Sequence, residues 1–120
     1  MPTRLPLILL GIVAAAGAFL TSCGSDNLTT PPSDIVILIG GVRGNMSFEP
    51  ASVTVRLGQS VAFRNMDSVT HDIDQDAGRW DAGEIEPGAI GPAVRMTATG
   101  PQPYHCVIHP SMVGSITVLP

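Results

Sequence analysis

The sequence predicts an all-β domain, a sandwich or a small barrel. Three observations carry that expectation. Short alternations of apolar and polar residues recur from Val53 to Leu119, the period of strands with one face in a core. Thirteen glycines and 11 prolines punctuate the chain and separate those alternations with turn chemistry. No amphipathic stretch of useful helical length and no internal repeat breaks the pattern, and Val, Ile and Thr are plentiful.

The chain opens on a targeting segment. Arg4 supplies a short positive region, and Leu5 to Leu20 is an apolar run interrupted by Pro6 and two glycines. The run is short of the roughly 20 apolar residues that a membrane span needs, and it fits a secretory signal. Its end, Leu20-Thr21-Ser22-Cys23-Gly24, resembles the lipobox of bacterial lipoproteins, in which the signal is cut before a cysteine that takes a diacylglyceryl group. The resemblance implies a signal peptide over residues 1–22 and lipid attachment at Cys23. An ordinary signal with cleavage nearby and an uncleaved anchor are the alternatives, and all three place the domain outside the cytoplasm. Residues 23–34 then read as a flexible tether, polar and carrying a Pro-Pro pair. Residues 35–120 remain for one folded domain, small but workable for a single core.

Within that domain each strand has its own signal. Ile35–Ile39 is a continuous apolar run bounded by Gly40-Gly41, which predicts a buried strand. Val53, Val55 and Leu57 alternate with Thr54 and Arg56; after a turn at Gly58-Gln59, Val61 and Phe63 alternate with Ala62 and Arg64. This predicts a hairpin with one face in the core. Residues 65–70 form a loop. In residues 71–76 a core-facing Ile73 puts His71 on the same side and turns the aspartates to water. Residues 77–92 hold Trp80, four glycines and two prolines and read as irregular structure, and residues 93–98 as a further strand. Tyr104 and Cys106 share one face of a short strand with His105 on the other. Val113–Leu119 closes the domain with Ile116 and Val118 on one side.

Charge narrows the partners. The chain carries six basic residues, all arginine, against ten acidic ones, for a net charge of −4. Nucleic acid rewards clustered positive charge, so it is not an expected partner. Asp67, Asp72, Asp74, Asp76, Asp81, Glu84 and Glu86 form an acidic stretch with only Arg79 among them. It reads as a solvated face; its functional reading is a docking surface for a basic redox protein.

The chemistry is concentrated near the C-terminus. Of two cysteines, a lipidated Cys23 leaves Cys106 alone; a Cys23–Cys106 disulfide and an inert buried thiol are the other readings. The stretch Tyr104-His105-Cys106-Val107-Ile108-His109-Pro110-Ser111-Met112 places Cys106, His109 and Met112 at a spacing of three. With the inward His71 the set is two imidazoles, one thiolate and one thioether. Soft sulfur with imidazole nitrogen suits copper, and two His with one Cys and a weak axial Met make a blue-copper electron-transfer centre. Structural zinc sites want more cysteines, another His or a carboxylate in place of Met. Iron–sulfur clusters want several cysteines. Nucleophilic thiol chemistry needs a base and an oxyanion hole.

These residues resemble the copper loop of the cupredoxins, the plastocyanin- and amicyanin-like blue copper proteins, in the short form with two residues between successive ligands. Phe48-Glu49-Pro50, Val53-Thr54-Val55, Gly58, Val61-Ala62-Phe63 and the run from Asn65 to His71 match the family pattern upstream. The resemblance spans residues 35–120 and implies a Greek-key β-sandwich holding one copper ion through His71, Cys106, His109 and Met112. The chain departs from the family at Asp72, where Asn often follows the first His, and at Val107-Ile108, where Thr or Ser and Pro often stand. Those polar neighbours tie the two ligand loops together.

The expected function is a membrane-tethered, extracytoplasmic carrier of single electrons between a redox donor and an acceptor, not an enzyme. A copper storage, delivery or sensing module is the alternative, and Met- or His-rich tracts that would favour it are missing from the sequence. His109 and Pro110 are the expected electron port, because their loop reaches the surface. Met46, Met66 and Met96 read as core or loop fillers, and His105 as a surface histidine.

Overall fold

The computed structural model describes residues 34–120. The signal segment, Cys23 and the tether up to residue 33 lie outside the described residues. Among the described residues there are nine strands: β1 Ile35–Ile39, β2 Phe48–Glu49, β3 Ser52–Arg56, β4 Ser60–Asn65, β5 His71–Gln75, β6 Asp81–Ile85, β7 Val94–Arg95, β8 Gly100–Cys106 and β9 Val113–Leu119. One turn of 3-10 helix, Gly44–Met46, sits between β1 and β2. The strands form two sheets, ordered β2-β1-β4-β7 and β3-β9-β8-β5-β6. β1 runs parallel to β4 and β3 parallel to β9; the other pairs are antiparallel. The fold is a Greek-key β-sandwich.

Four expectations change. β3 and β4 are not a hairpin: the chain crosses at Gly58-Gln59 from one sheet to the other, and each strand pairs elsewhere. Gly58 adopts φ +91°, its N–H donates to the Met96 carbonyl at 2.8 Å, and Leu57 N–H donates to the Leu119 carbonyl at 2.7 Å, so the crossing is tied to both sheets. Ile35–Ile39 is a strand with one wet face, because Ile37 and Ile39 are buried while Val36 and Leu38 are 39% and 37% exposed. The segment 77–92 contains β6, which buries only Ala82 and Ile85 and has Gly83 at φ +72°. The strand expected over residues 93–98 is reduced to the two residues of β7.

The alternations that carry the site hold. His71, Ile73 and Gln75 of β5 point inward, as do Tyr104 and Cys106 of β8 and Ile116 and Val118 of β9. Between the sheets Phe48, Phe63 and Tyr104 pack edge to face with centroids 4.9 to 6.1 Å apart, and Trp80 stacks on Phe63. Trp80 Nε1–H donates to Gln102 Oε1 at 2.6 Å, which satisfies the one polar atom of that ring. Tyr104 lies across from Gly114 on β9, and a Cβ at Gly114 would collide with the Tyr104 hydroxyl. The glycine is therefore what lets the largest buried ring sit directly beneath the ligand-bearing end of β8. Burial without a partner pushes the Tyr104 hydroxyl well above its ordinary pKa.

Candidate metal centre

The site is built where three segments meet at one end of the sandwich. β5 starts on His71, β8 ends on Cys106, and the two strands are neighbours with Ile73 opposite Cys106. Period-two geometry then sends both ligand side chains into the same layer. The turn between β8 and β9 supplies His109 and Met112. It is closed by its own backbone: Met112 N–H donates to the His109 carbonyl at 2.9 Å, and Cys106 N–H donates to the Met112 carbonyl at 3.0 Å.

His71, Cys106 and His109 offer donor atoms that all lie within 4.8 Å of one another. Cys106 Sγ is 3.7 Å from His71 Nδ1 and 3.7 Å from His109 Nδ1. Bonds of roughly 2.3 Å to sulfur and 2.0–2.1 Å to nitrogen, the lengths found at zinc, put such donors about 3.6 Å apart at a tetrahedral angle and about 3.8 Å apart in a trigonal plane. The observed separation fits one shared ion in either geometry. The donor chemistry then decides between metals. Met112 is fully buried in the same core cluster as Cys106 and brings a thioether, which favours copper over zinc. His71 and Cys106 are fully buried as well, whereas His109 is half-buried between exposed Ile108 and exposed Pro110. Among the described residues Cys106 forms no disulfide; Cys23, the other cysteine of the chain, lies outside them.

The two loops that carry the candidate ligands are joined through the backbone. Val107 N–H donates to the Asp72 carbonyl at 2.7 Å, so backbone replaces side chain at the two departing positions.

Two residues near His71 have roles at the site that their sequence readings did not give them. Asn65, buried at the end of β4, donates Nδ2–H to the carbonyls of Val69 at 2.7 Å and Ile85 at 2.9 Å, and its Oδ1 accepts from Asp67 N–H at 2.9 Å. Asp67 leaves the solvated face assigned to the acidic stretch: its Oδ2 is 2.9 Å from His71 Nε2. The Ser68 N–H first, and His71 second, hold the Asp67 carboxyl below the usual carboxylate range. The available signal was an Asn and an Asp two residues apart just before an inward His, the short side chains that fold back on their own loop.

The rest of the acidic stretch stays outward. Asp72, Asp74 and Asp81 carboxylates lie within 4.8 Å of one another, and burial, then the neighbouring carboxylates, push Asp74 above the usual range. His105 is on the opposite face of β8 from Cys106, with Nδ1 2.7 Å from Asp76 Oδ1. Met46 and Met66 are 76% and 61% exposed, whereas Met96 belongs to the core. None of these three is among the residues that converge at the site.

Known proteins share this architecture. The family model of copper binding proteins of the plastocyanin/azurin family matches residues 35–119. Plastocyanin of Cucumis sativus is 30% identical over 99 residues, covering 70% of this chain and 99% of that protein. Plastocyanin of Cucurbita pepo is 29% identical over 99 residues, with the same coverage of 70% and 99%. Among solved structures, a purple cupredoxin from Nitrosopumilus maritimus superposes with a TM-score of 0.62 at 26% identity, covering 72% of this chain and all of that one. An amicyanin mutant in its Cu(I) form superposes with a TM-score of 0.60 at 23% identity, covering 71% and 81% of the two chains, and so supports the fold.

Proposed function

The chain belongs to the plastocyanin/azurin family of copper-binding proteins, whose cofactor is one copper ion, and from that premise we propose that it is an extracytoplasmic, membrane-tethered carrier of single electrons. The observation that carries the reading is the triangle of His71 Nδ1, Cys106 Sγ and His109 Nδ1, with sulfur 3.7 Å from each nitrogen. His71, Cys106, His109 and Met112 are the proposed ligands. Copper held there supplies reversible one-electron exchange between Cu(II) and Cu(I).

The chain's own contribution is to hold the donors still and keep water out. His71 and Cys106 stand on adjacent hydrogen-bonded strands, and the turn from Cys106 to Met112 is closed by two backbone bonds. Donors fixed in this way favour a geometry that both oxidation states tolerate, which keeps reorganisation small. Full burial of His71, Cys106 and Met112 argues against the open, exchangeable coordination that storage or delivery needs. The protein itself transforms no substrate in this reading; a redox donor and an acceptor are its partners.

His109 is the proposed port. It is the one half-buried member of the set, and Val107, Ile108 and Pro110 around it are exposed. Pro110→Glu is expected to slow electron self-exchange about tenfold, within the span over which on-rates vary among variants of one interface, while copper content stays at one per chain. Self-exchange at the wild-type rate in that variant places the port elsewhere.

The tether rests on Leu20-Thr21-Ser22-Cys23. Cys23→Ser is expected to release the protein from membranes with its copper site intact. Acyl chains on Cys23 in the mass spectrum of the mature protein support the anchor; a mature protein without them removes it from the account.

A further inference from the structure

The two histidines of the site are held differently. His109 turns Nδ1 toward Cys106 Sγ, and among the described residues no carboxylate is paired with it. His71 is clamped at both ring nitrogens: Nδ1 faces Sγ at 3.7 Å and Nε2 lies 2.9 Å from Asp67 Oδ2. A carboxylate oxygen accepts, so this contact is made by a proton on Nε2, and in a ring carrying that one proton the Nδ1 lone pair faces the sulfur and is left for a metal.

Asp67 is itself positioned rather than loose. Its N–H donates to Oδ1 of buried Asn65, and its Oδ1 accepts from Ser68 N–H at 2.8 Å. Met66 N–H donates to the Ile39 carbonyl at 2.9 Å, which pins the loop to the end of β1. The carboxylate packs over Gly41, whose φ of +125° favours glycine and where an added Cβ would meet Asp67 Oδ2 at 3.7 Å. The loop thus presents one oxygen to His71 and uses the other locally.

We propose that Asp67 is a positioning residue of the metal centre, which fixes the His71 ring in the Nε2–H tautomer and, through its negative charge, strengthens His71 as a donor and favours Cu(II) over Cu(I). The inference rests on the copper reading above for its metal part. The tautomer part concerns the metal-free protein and stands independently. Groups of this kind raise ligand basicity, and losing one costs about 10–100-fold in metal affinity.

Two variants separate hydrogen bond from charge. Asp67→Ala removes both; Asp67→Asn keeps an acceptor oxygen and removes the charge. Asp76→Asn, on the His105 side of the sheet, is the control for loss of one negative charge. In nitrogen-15 spectra of the metal-free protein, His71 is expected as the single Nε2–H tautomer in wild type and Asp67→Asn, and as a mixture in Asp67→Ala. Cu(II) affinity of Asp67→Ala is expected to fall about 10–100-fold. The reduction potential of both Asp67 variants should rise by more than that of Asp76→Asn. A single unchanged tautomer in Asp67→Ala, or a potential shift no larger than the control's, overturns the proposal. If Asp67→Ala does not fold, Asp67→Asn against Asp76→Asn decides by the potential alone. A wild-type protein that binds no copper sinks the copper reading and still leaves the tautomer measurement to be read.

Discussion

Replacing Cys106 with serine is expected to abolish the intense visible absorption of the Cu(II) protein while leaving the sandwich folded. Cys106 is the one thiol that the described residues bring to the site, and both imidazole nitrogens face it at 3.7 Å. The colour of such a centre comes from charge transfer out of the thiolate sulfur, and a hydroxyl is a harder and far less reducing donor. Three donors remain in Cys106→Ser, so residual weak copper binding through the two histidines is compatible with the account. The fold should survive because the exchange changes one buried atom on β8, and its backbone bond to Met112 is untouched. A stability change within about 1–2 kcal/mol is expected, the ordinary size for such a substitution. Visible spectra with far-ultraviolet circular dichroism check both halves. An unchanged visible band in a folded Cys106→Ser protein would remove the assignment of the site.

The second large effect concerns Met112. Its side chain is fully buried with Cys106 in one cluster, and its backbone closes the turn that carries His109. A thioether binds Cu(II) weakly and is compatible with Cu(I), so Met112 as a ligand would favour the reduced state. Glutamine is close in length and offers a harder amide oxygen. Met112→Gln is therefore expected to retain copper and colour and to show a lower reduction potential. A tenfold change in the ratio of Cu(II) to Cu(I) affinity corresponds to about 59 mV for one electron, and a fall of at least that size is expected. Met66→Gln, at a side chain 61% exposed on the surface, is the control and should leave the potential in place. Met96→Gln is not a suitable control, because Met96 lies in the core and the amide would be buried there. Voltammetry that finds the potential unmoved in Met112→Gln but shifted in Met66→Gln contradicts a ligand role for Met112.

Much of the site is legible because it is local. Cys106, His109 and Met112 fall within one turn, and the alternation of His71-Asp72-Ile73 fixes the inward direction of the distant histidine. Adjacent strands then do the rest, since Ile73 sits opposite Cys106. What escapes the sequence is non-local. Val53 to Arg64 alternates in the same way whether its two strands pair with each other or face each other across a core, and Gly58-Gln59 serves either turn. Alternation reports which side of a strand is buried, not which sheet it joins. Val36 and Leu38 are apolar and yet lie on the outer face of β1, so the run around them carries no period to read. β6 hides because its five residues include a glycine and two acids and bury only two small or medium side chains. Asp67 looks like any other acid of the stretch from residue 67 to residue 86, and only the folded loop shows that one of its oxygens reaches His71.

One measurement tests the central claim most directly: an optical titration of the purified protein with Cu(II), followed by cycles of reduction and oxidation. The account predicts one intense visible band that saturates at one copper per chain, bleaches with one electron equivalent and returns fully on reoxidation. A protein that saturates without an intense band, or that loses its copper on each reduction, contradicts an electron carrier built on His71, Cys106, His109 and Met112.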